Sequence, residues 1–190
     1  MNIQVVTDHT DRTTVLVVED ERDLADLYAE YIPDDYEVRT AYGGEQAIDA
    51  LGPDVDILLL DRRMPVVSGN EVLASVEERG LDLEVAMVTA VDPDFEIIDM
   101  GVDDYVVKPV SKETLVDLVE RLETISTYND RRRRLTAKKL KRNVLEVEKS
   151  RPELEASDRF ARLEAEIEDL EAEVEQLAES LERTAVERRH

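Results

Sequence analysis

The sequence predicts an α/β protein: a doubly wound parallel sheet built from five βα units, followed by an α-helical hairpin or coiled-coil tail. Three observations predict it. Short β-branched or aliphatic runs alternate with helical patterns from Thr14 to about Ile125, the charge changes sign after Tyr128, and an unbroken apolar heptad begins at Phe160. Strands separated by helical stretches are what parallel crossovers require, because parallel neighbours cannot be joined by a tight hairpin.

Taken in order, the strands are read at Val15 to Val18, Tyr36 to Thr40, Asp56 to Leu60, Val85 to Val88 and Tyr105 to Val107. Between them Leu24, Leu27, Tyr28 and Tyr31 recur at helical spacing, as do Val72, Leu73 and Val76, and later Leu115, Leu118, Val119 and Leu122. Each set is read as a face that covers the sheet. Turn chemistry agrees: Pro33 and Asp34 break the first helix, Gly43 and Gly44 open the second, and Gly80 ends the third.

Residues 129 to 151 hold ten basic and three acidic side chains, whereas residues 152 to 190 hold five basic and thirteen acidic ones. Pro152 stands at the junction, where a proline ends one helix or begins the next. Beyond it Phe160, Leu163, Ile167, Leu170, Val174, Leu177 and Leu181 repeat in alternating steps of three and four, which is an a/d seam. Glu164, Glu166, Glu171 and Glu173 fall at its e and g positions, so parallel self-pairing would set glutamates against each other. Ala137, Leu140, Val144 and Val147 offer a second seam among lysines and arginines. An antiparallel hairpin of a basic helix (about 129–150) and an acidic helix (about 153–188) follows, with further assembly into a dimer open to it. The expected division is a disordered segment 1–13, a sheet domain 14–126 and a helical domain 127–190.

The chain of 190 residues carries 47 acidic and 24 basic side chains, a formal charge of -23, yet apolar residues make up 42% and fall into ordered runs. That pattern is a folded protein with a solvated acidic surface of halophile type, which argues against nucleic acid binding by the acidic part. Absence of cysteine excludes disulfides and thiolate metal sites. No apolar stretch approaches the roughly 20 residues that span a bilayer, and residues 1–13 lack a signal-peptide pattern, so a cytoplasmic protein without membrane contact is expected.

Ligands of open parallel sheets bind at the carboxyl ends of the strands. The first strand ends in Glu19 and Asp20, the third in Asp61, the fourth in Thr89 and the fifth in Lys108. Three carboxylates at one edge need compensating positive charge, and Mg2+ suits them because it prefers oxygen ligands and retains water. Asp61 then qualifies as a nucleophile towards a phosphoryl group, with Lys108 and Thr89 holding the phosphoryl oxygens.

The runs VLVVEDE, LLLDRRMP, MVTA and DDYVVKP resemble the receiver domain of two-component response regulators over roughly residues 14 to 125. The resemblance implies a flavodoxin-like (βα)5 fold and a phosphoacceptor switch rather than an enzyme, with Asp61 phosphorylated by a partner histidine kinase. It further implies that Asp20, Asp61 and the Arg63 carbonyl bind the metal directly, that Glu19 acts largely through water, and that Thr89 and Tyr105 are coupled switch residues. The Lys108–Pro109 bond is expected cis, and the fourth helix, fifth strand and fifth helix form the coupling face, which is also a candidate homodimer face. Glu19 stands where many receivers have aspartate, and Arg63 is placed to shield a phosphoryl group. The tail resembles the HalX extension of haloarchaeal regulators in composition and arrangement, which implies no defined role by itself; the expected output is transcriptional regulation, and the rival reading is a phosphorylation-dependent adaptor that does not bind DNA.

Other classes fit less well. No GxGxxG or GxxxxGK[ST] is present, so a nucleotide-binding reading fails. A phosphohydrolase would want a second acid where Arg63 stands, and His9 and His190 lie far from the cluster, so the phosphoryl donor is external. The basic run Arg131 to Arg134 with Lys138, Lys139, Lys141 and Arg142 invites DNA contact, but pairing with the acidic helix is the favoured use of those charges.

Overall fold

The computed structural model describes residues 12–187, so most of the segment expected to be disordered, and both histidines, lie outside the described residues. Thr13 is already tied down: its hydroxyl donates to Glu123 at 2.8 Å. The chain divides into two compact units, Met1–Glu123 and Thr124–His190.

The first unit is a five-stranded sheet in the order β2-β1-β3-β4-β5 with every pairing parallel. The strands are β1 (Thr14–Val18), β2 (Glu37–Ala41), β3 (Ile57–Leu60), β4 (Glu84–Thr89) and β5 (Asp104–Val107). β1, β3 and β4 are buried along their whole length, which explains why they read as continuous aliphatic runs rather than alternating ones. The order reverses between β1 and β3, the strands that end in Glu19 and Asp61.

Around the sheet lie α1 (Arg22–Tyr31), α2 (Gly44–Ala50), α3 (Gly69–Glu78) and the first turns of α4 (Lys112–Glu148). Leu115, Leu118, Val119 and Leu122 of α4 are fully buried, and Val72, Leu73 and Val76 of α3 are buried as expected. Leu27 departs from the expected α1 face: it is exposed, and Ala25, Tyr28 and Ile32 supply the buried stripe. α3 begins with a capping box in which Ser68 and Glu71 bond reciprocally, and Gly80 adopts φ 59 just beyond its end.

The fourth crossover holds a 3-10 turn, Phe95–Ile98, where a full fourth helix was expected. Pro93 precedes it, and the Asp94 carboxylate accepts from the Phe95 amide, a local bond that competes with helix propagation. Asp92, Glu96 and Asp99 would also stack like charges on one helical face. The fourth helix on which the expected coupling face was drawn is therefore this turn.

The second unit is an antiparallel helical hairpin. α4 continues through it to Glu148, a short α5 spans Arg151–Glu155, and α6 runs over Asp158–Glu187. The basic helix is thus the continuation of the helix that covers the sheet, and the acidic helix starts only at Asp158. Ser150 bonds Glu153 through both its amide and hydroxyl to start α5, with Pro152 in its first turn. Arg131 meets Glu173 at 2.7 Å, Lys139 meets Glu171 at 2.5 Å, and Lys138 bonds Glu166. The partners of Lys138 and Lys139 precede the partner of Arg131 along the chain, which is the antiparallel sense. Phe160, Ile167 and Leu170 are buried in the seam.

One expectation about that seam is overturned. Leu140, Val144 and Val147 are 61%, 62% and 82% exposed, so the Ala137 to Val147 row does not face α6. The half-buried row is instead Tyr128, Arg131, Leu135, Lys138, Arg142 and Leu145, the same alternation of threes and fours shifted round the helix. It wins because it combines Leu135 and Leu145 with three cations, two of which reach α6 glutamates, whereas the purely aliphatic row offers α6 no charge partner.

Candidate functional site

The site lies where three strand ends meet. The Asp61 amide donates to the Val18 carbonyl at 3.0 Å, extending the β1–β3 pairing by one residue, and the Glu19 amide donates to Ala41 at 3.1 Å. Glu19 and Asp61 are thereby held by backbone at adjacent strand ends, 1% and 6% exposed. Asp20 follows at half-burial, and Glu19, Asp20 and Asp61 each present a carboxylate oxygen within 4.8 Å of the others. A set of hard oxygens spanning up to 4.8 Å suits a small divalent cation, whose direct ligands stand no more than about 4.2 Å apart, with one carboxylate acting through water.

Lys108, at the end of β5, reaches into this cluster. Its Nζ donates to Glu19 Oε2 at 2.5 Å and to Asp61 Oδ2 at 3.2 Å. Burial opposes the ammonium charge, but the bond to Glu19 and the charges of Asp61 and Glu19 prevail and hold Lys108 above the usual lysine range. For Glu19 burial dominates, with repulsion from Asp61 adding to it, so its carboxyl is pushed up despite the lysine. Tyr28, buried beneath, is pushed up mainly by burial and also feels these charges.

The remaining expected residues sit as follows. Thr89 ends β4, fully buried, and its hydroxyl accepts from the Val91 amide at 3.4 Å. Its carbonyl accepts from the Lys108 amide at 2.9 Å, so Thr89 and Lys108 are joined directly through backbone. Tyr105 is half-buried and its hydroxyl donates to the Val91 carbonyl at 2.8 Å. The Arg63 amide donates to Asp61 Oδ1 at 3.3 Å, which sets the Arg63 backbone beside the carboxylate. Lys108–Pro109 is cis.

Three contributors escape a reading of strand ends. Arg62, whose side chain is only 17% exposed, pairs with Glu96 at 2.6 Å, whereas the Arg63 side chain is exposed. The pair of arginines in LLLDRRMP therefore divides: the first ties the Asp61 loop to the turn before β5, the second lends its amide. Gly69 is the second contributor. Its amide donates to the Arg62 carbonyl at 3.0 Å, and a Cβ there would stand 2.3 Å from the Asp61 carbonyl oxygen. The third is Val66, in the same loop with φ 67, a left-handed conformation that a β-branched residue adopts only under constraint.

A five-stranded parallel sheet with acids and a lysine at the carboxyl edge of its switch point defines a receiver-type fold, a class that serves typically as signalling switches rather than dedicated enzymes. Residues 15–120 match the response regulator receiver domain, and residues 124–189 match the HalX domain. The chain belongs to the response regulator receiver family, with a HalX domain following. Among relatives, a Haloferax volcanii protein named as a transcriptional regulator is 44% identical over 155 residues, covering 80% of this chain and 27% of that protein. Response regulator SaeR of Staphylococcus aureus is 36% identical over 118 residues, covering 59% of this chain and 51% of SaeR. This chain therefore spans about a quarter to a half of these relatives' length. The signal receiver domain of a LuxO repressor protein from Vibrio parahaemolyticus superposes with a TM-score of 0.59 at 27% identity, over 63% of this chain and 95% of that one. The BeF3-activated DrrB receiver domain gives 0.52 at 27% identity, over 58% and 97%. No described helix is long and apolar enough to cross a membrane.

Proposed function

We propose that the protein is a two-component response regulator phosphorylated on Asp61 by a partner histidine kinase. The observation that carries this reading is the convergence of Glu19, Asp20 and Asp61 within 4.8 Å, with Lys108 Nζ bonded to two of them. Asp61 is the nucleophile: a carboxylate oxygen attacks phosphorus, the bond to the kinase imidazole nitrogen breaks, and an acyl phosphate forms. Asp20, Asp61 and the Arg63 carbonyl would hold Mg2+, with Glu19 contributing through water, and the ion would supply positive charge to offset that of the phosphoryl oxygens. Lys108 already lies 3.2 Å from Asp61, so it follows the phosphoryl group with little movement.

The Thr89 hydroxyl, now occupied by the Val91 amide, turns to a phosphoryl oxygen, and Tyr105 leaves the Val91 carbonyl as that segment shifts. Both bonds end on Val91, which makes this residue the hinge of the response. The change passes through β5 and α4 to a transcriptional-regulatory output, the role that the name of the Haloferax volcanii relative supports. A second reading is a protein-interaction adaptor. It is favoured by the pairing of Arg131, Lys138 and Lys139 with α6 glutamates, which leaves those cations engaged within the tail. Binding of genomic fragments at molar salt by the phosphorylated protein supports the first output; binding of none supports the second.

Incubation with a small phosphodonor and Mg2+ tests the switch itself. Hydroxylamine-sensitive label on the native protein and none on Asp61→Asn is expected; equal labelling of the variant would overturn the assignment.

A further inference from the structure

None of residues 90–99, which lead from β4 towards β5, is buried: Val91 and Ile97 are half-buried and the others exposed, Phe95 and Ile98 largely so. Apolar packing therefore contributes little to the position of this segment, and polar contacts hold it. Within it the bonds are local, the Ile97 amide donating to the Asp94 carbonyl at 3.0 Å and the Asp99 amide to the Glu96 carbonyl at 3.2 Å. These bonds set its shape but not its place on the sheet. Among the described residues, two side chains from beyond its flanking residues reach it. The Tyr105 hydroxyl donates to the Val91 carbonyl at 2.8 Å, and the Arg62 guanidinium donates to Glu96 Oε2 at 2.6 Å.

The second tether is anchored at the phosphoacceptor loop. The Arg62 carbonyl accepts from the Gly69 amide at 3.0 Å, at a position where a Cβ would strike the Asp61 carbonyl. The Arg62 side chain is 17% exposed and that of Glu96 is 68% exposed. The fixed end is thus the residue that follows Asp61, and the free end lies in the segment that carries Val91. Val91 occupies both the Thr89 hydroxyl and the Tyr105 hydroxyl, so holding the segment holds both groups as they stand. A contact made in one arrangement and lost in another favours the first, and a ligand that requires the second is weakened by the same factor.

We propose that Arg62 and Glu96 are positioning residues whose ion pair holds residues 90–99 in the resting arrangement and so opposes phosphoryl acceptance at Asp61. The inference rests on the reading of Asp61 as phosphoacceptor and of Val91 as the point that shifts. It sets Arg62 against Lys108: the lysine attracts the phosphoryl group, whereas the arginine restrains the segment that must answer it. Because Glu96 is largely in water, the restraint amounts to a factor of about two to five.

The test titrates beryllofluoride, a phosphoryl mimic, with Mg2+ onto the full chain, and reads amide exchange on the ligand-free proteins. Arg62→Gln and Glu96→Gln should each bind the mimic about two- to fivefold more tightly and exchange faster across residues 90–99. The two substitutions change the local charge in opposite senses, so tightening by both is a signature of the lost pair and not of the field at Asp61. The double variant should match either single one, since the pair is already broken. Binding that moves in opposite directions in the two variants, or a double variant that multiplies their effects, would overturn the proposal. A native chain that binds no beryllofluoride would overturn the phosphoacceptor reading itself, whereas unchanged exchange across residues 90–99 in Arg62→Gln would overturn the tether alone.

Discussion

The two units use similar lysine–glutamate pairs to opposite ends. In the receiver, Lys108 and Glu19 are 15% and 2% exposed at 2.5 Å; in the hairpin, Lys139 and Glu171 stand at the same distance but are 38% and 47% exposed. The buried pair is costly to form and poorly screened, so it fixes the atoms of the acidic cluster. The exposed pairs each contribute little and yield to salt, so they select a register collectively rather than hold a geometry.

That contrast can be broken at several points. Lys108→Met removes the cation from between Glu19 and Asp61 and should slow phosphodonor labelling by about two orders of magnitude, whereas Lys139→Met should leave it unchanged. Parallel labelling time courses decide it. Gly69→Ala comes next: its Cβ would stand 2.8 Å from Arg62 Cα and closer still to the Asp61 carbonyl, so backbone must shift. A loss of about 2 kcal/mol in urea unfolding, with slower labelling, is expected. Arg62→Gln should cost under about 1 kcal/mol because Glu96 is largely exposed, yet raise amide exchange in the Phe95–Ile98 turn, while Arg63→Gln leaves that exchange unaltered.

The smallest effect is a pH dependence of the hairpin. Hydrogen bonds from Lys138 and Lys139 hold Glu166 and Glu171 below the usual glutamate range. Depressed carboxylates stabilise the fold fully above the ordinary glutamate pKa, and that contribution is lost as pH falls through the depressed values. Thermal melts at low salt should therefore show the hairpin weakening below about pH 4.5, and molar salt should flatten the dependence.

The sheet was legible in the sequence because parallel strands buried on both faces must read as aliphatic runs, and residues at their carboxyl ends were visible by position alone. The cluster of Glu19, Asp20, Asp61 and Lys108 is brought together by the same strand ends. Less legible was whatever depends on local competition. Leu27 has the spacing of a core residue, but it is the smaller Ala25 that is fully buried. The fourth helix failed to an aspartate bonding its neighbour's amide. On α4 two rows fit the same periodicity, one aliphatic and one mixing leucines with cations, and the acidic helix opposite decided between them. Arg62 and Arg63 could not be told apart by type; the partner, Glu96, lies 34 residues on.

The most direct measurement is mass-resolved phosphorylation with a small phosphodonor in Mg2+, on the native chain and on Asp61→Asn. The account predicts one hydroxylamine-labile phosphoryl group on the native chain, not formed when the metal is chelated beforehand and absent from the variant. Label that persists on Asp61→Asn, or that forms equally well without divalent metal, would contradict it.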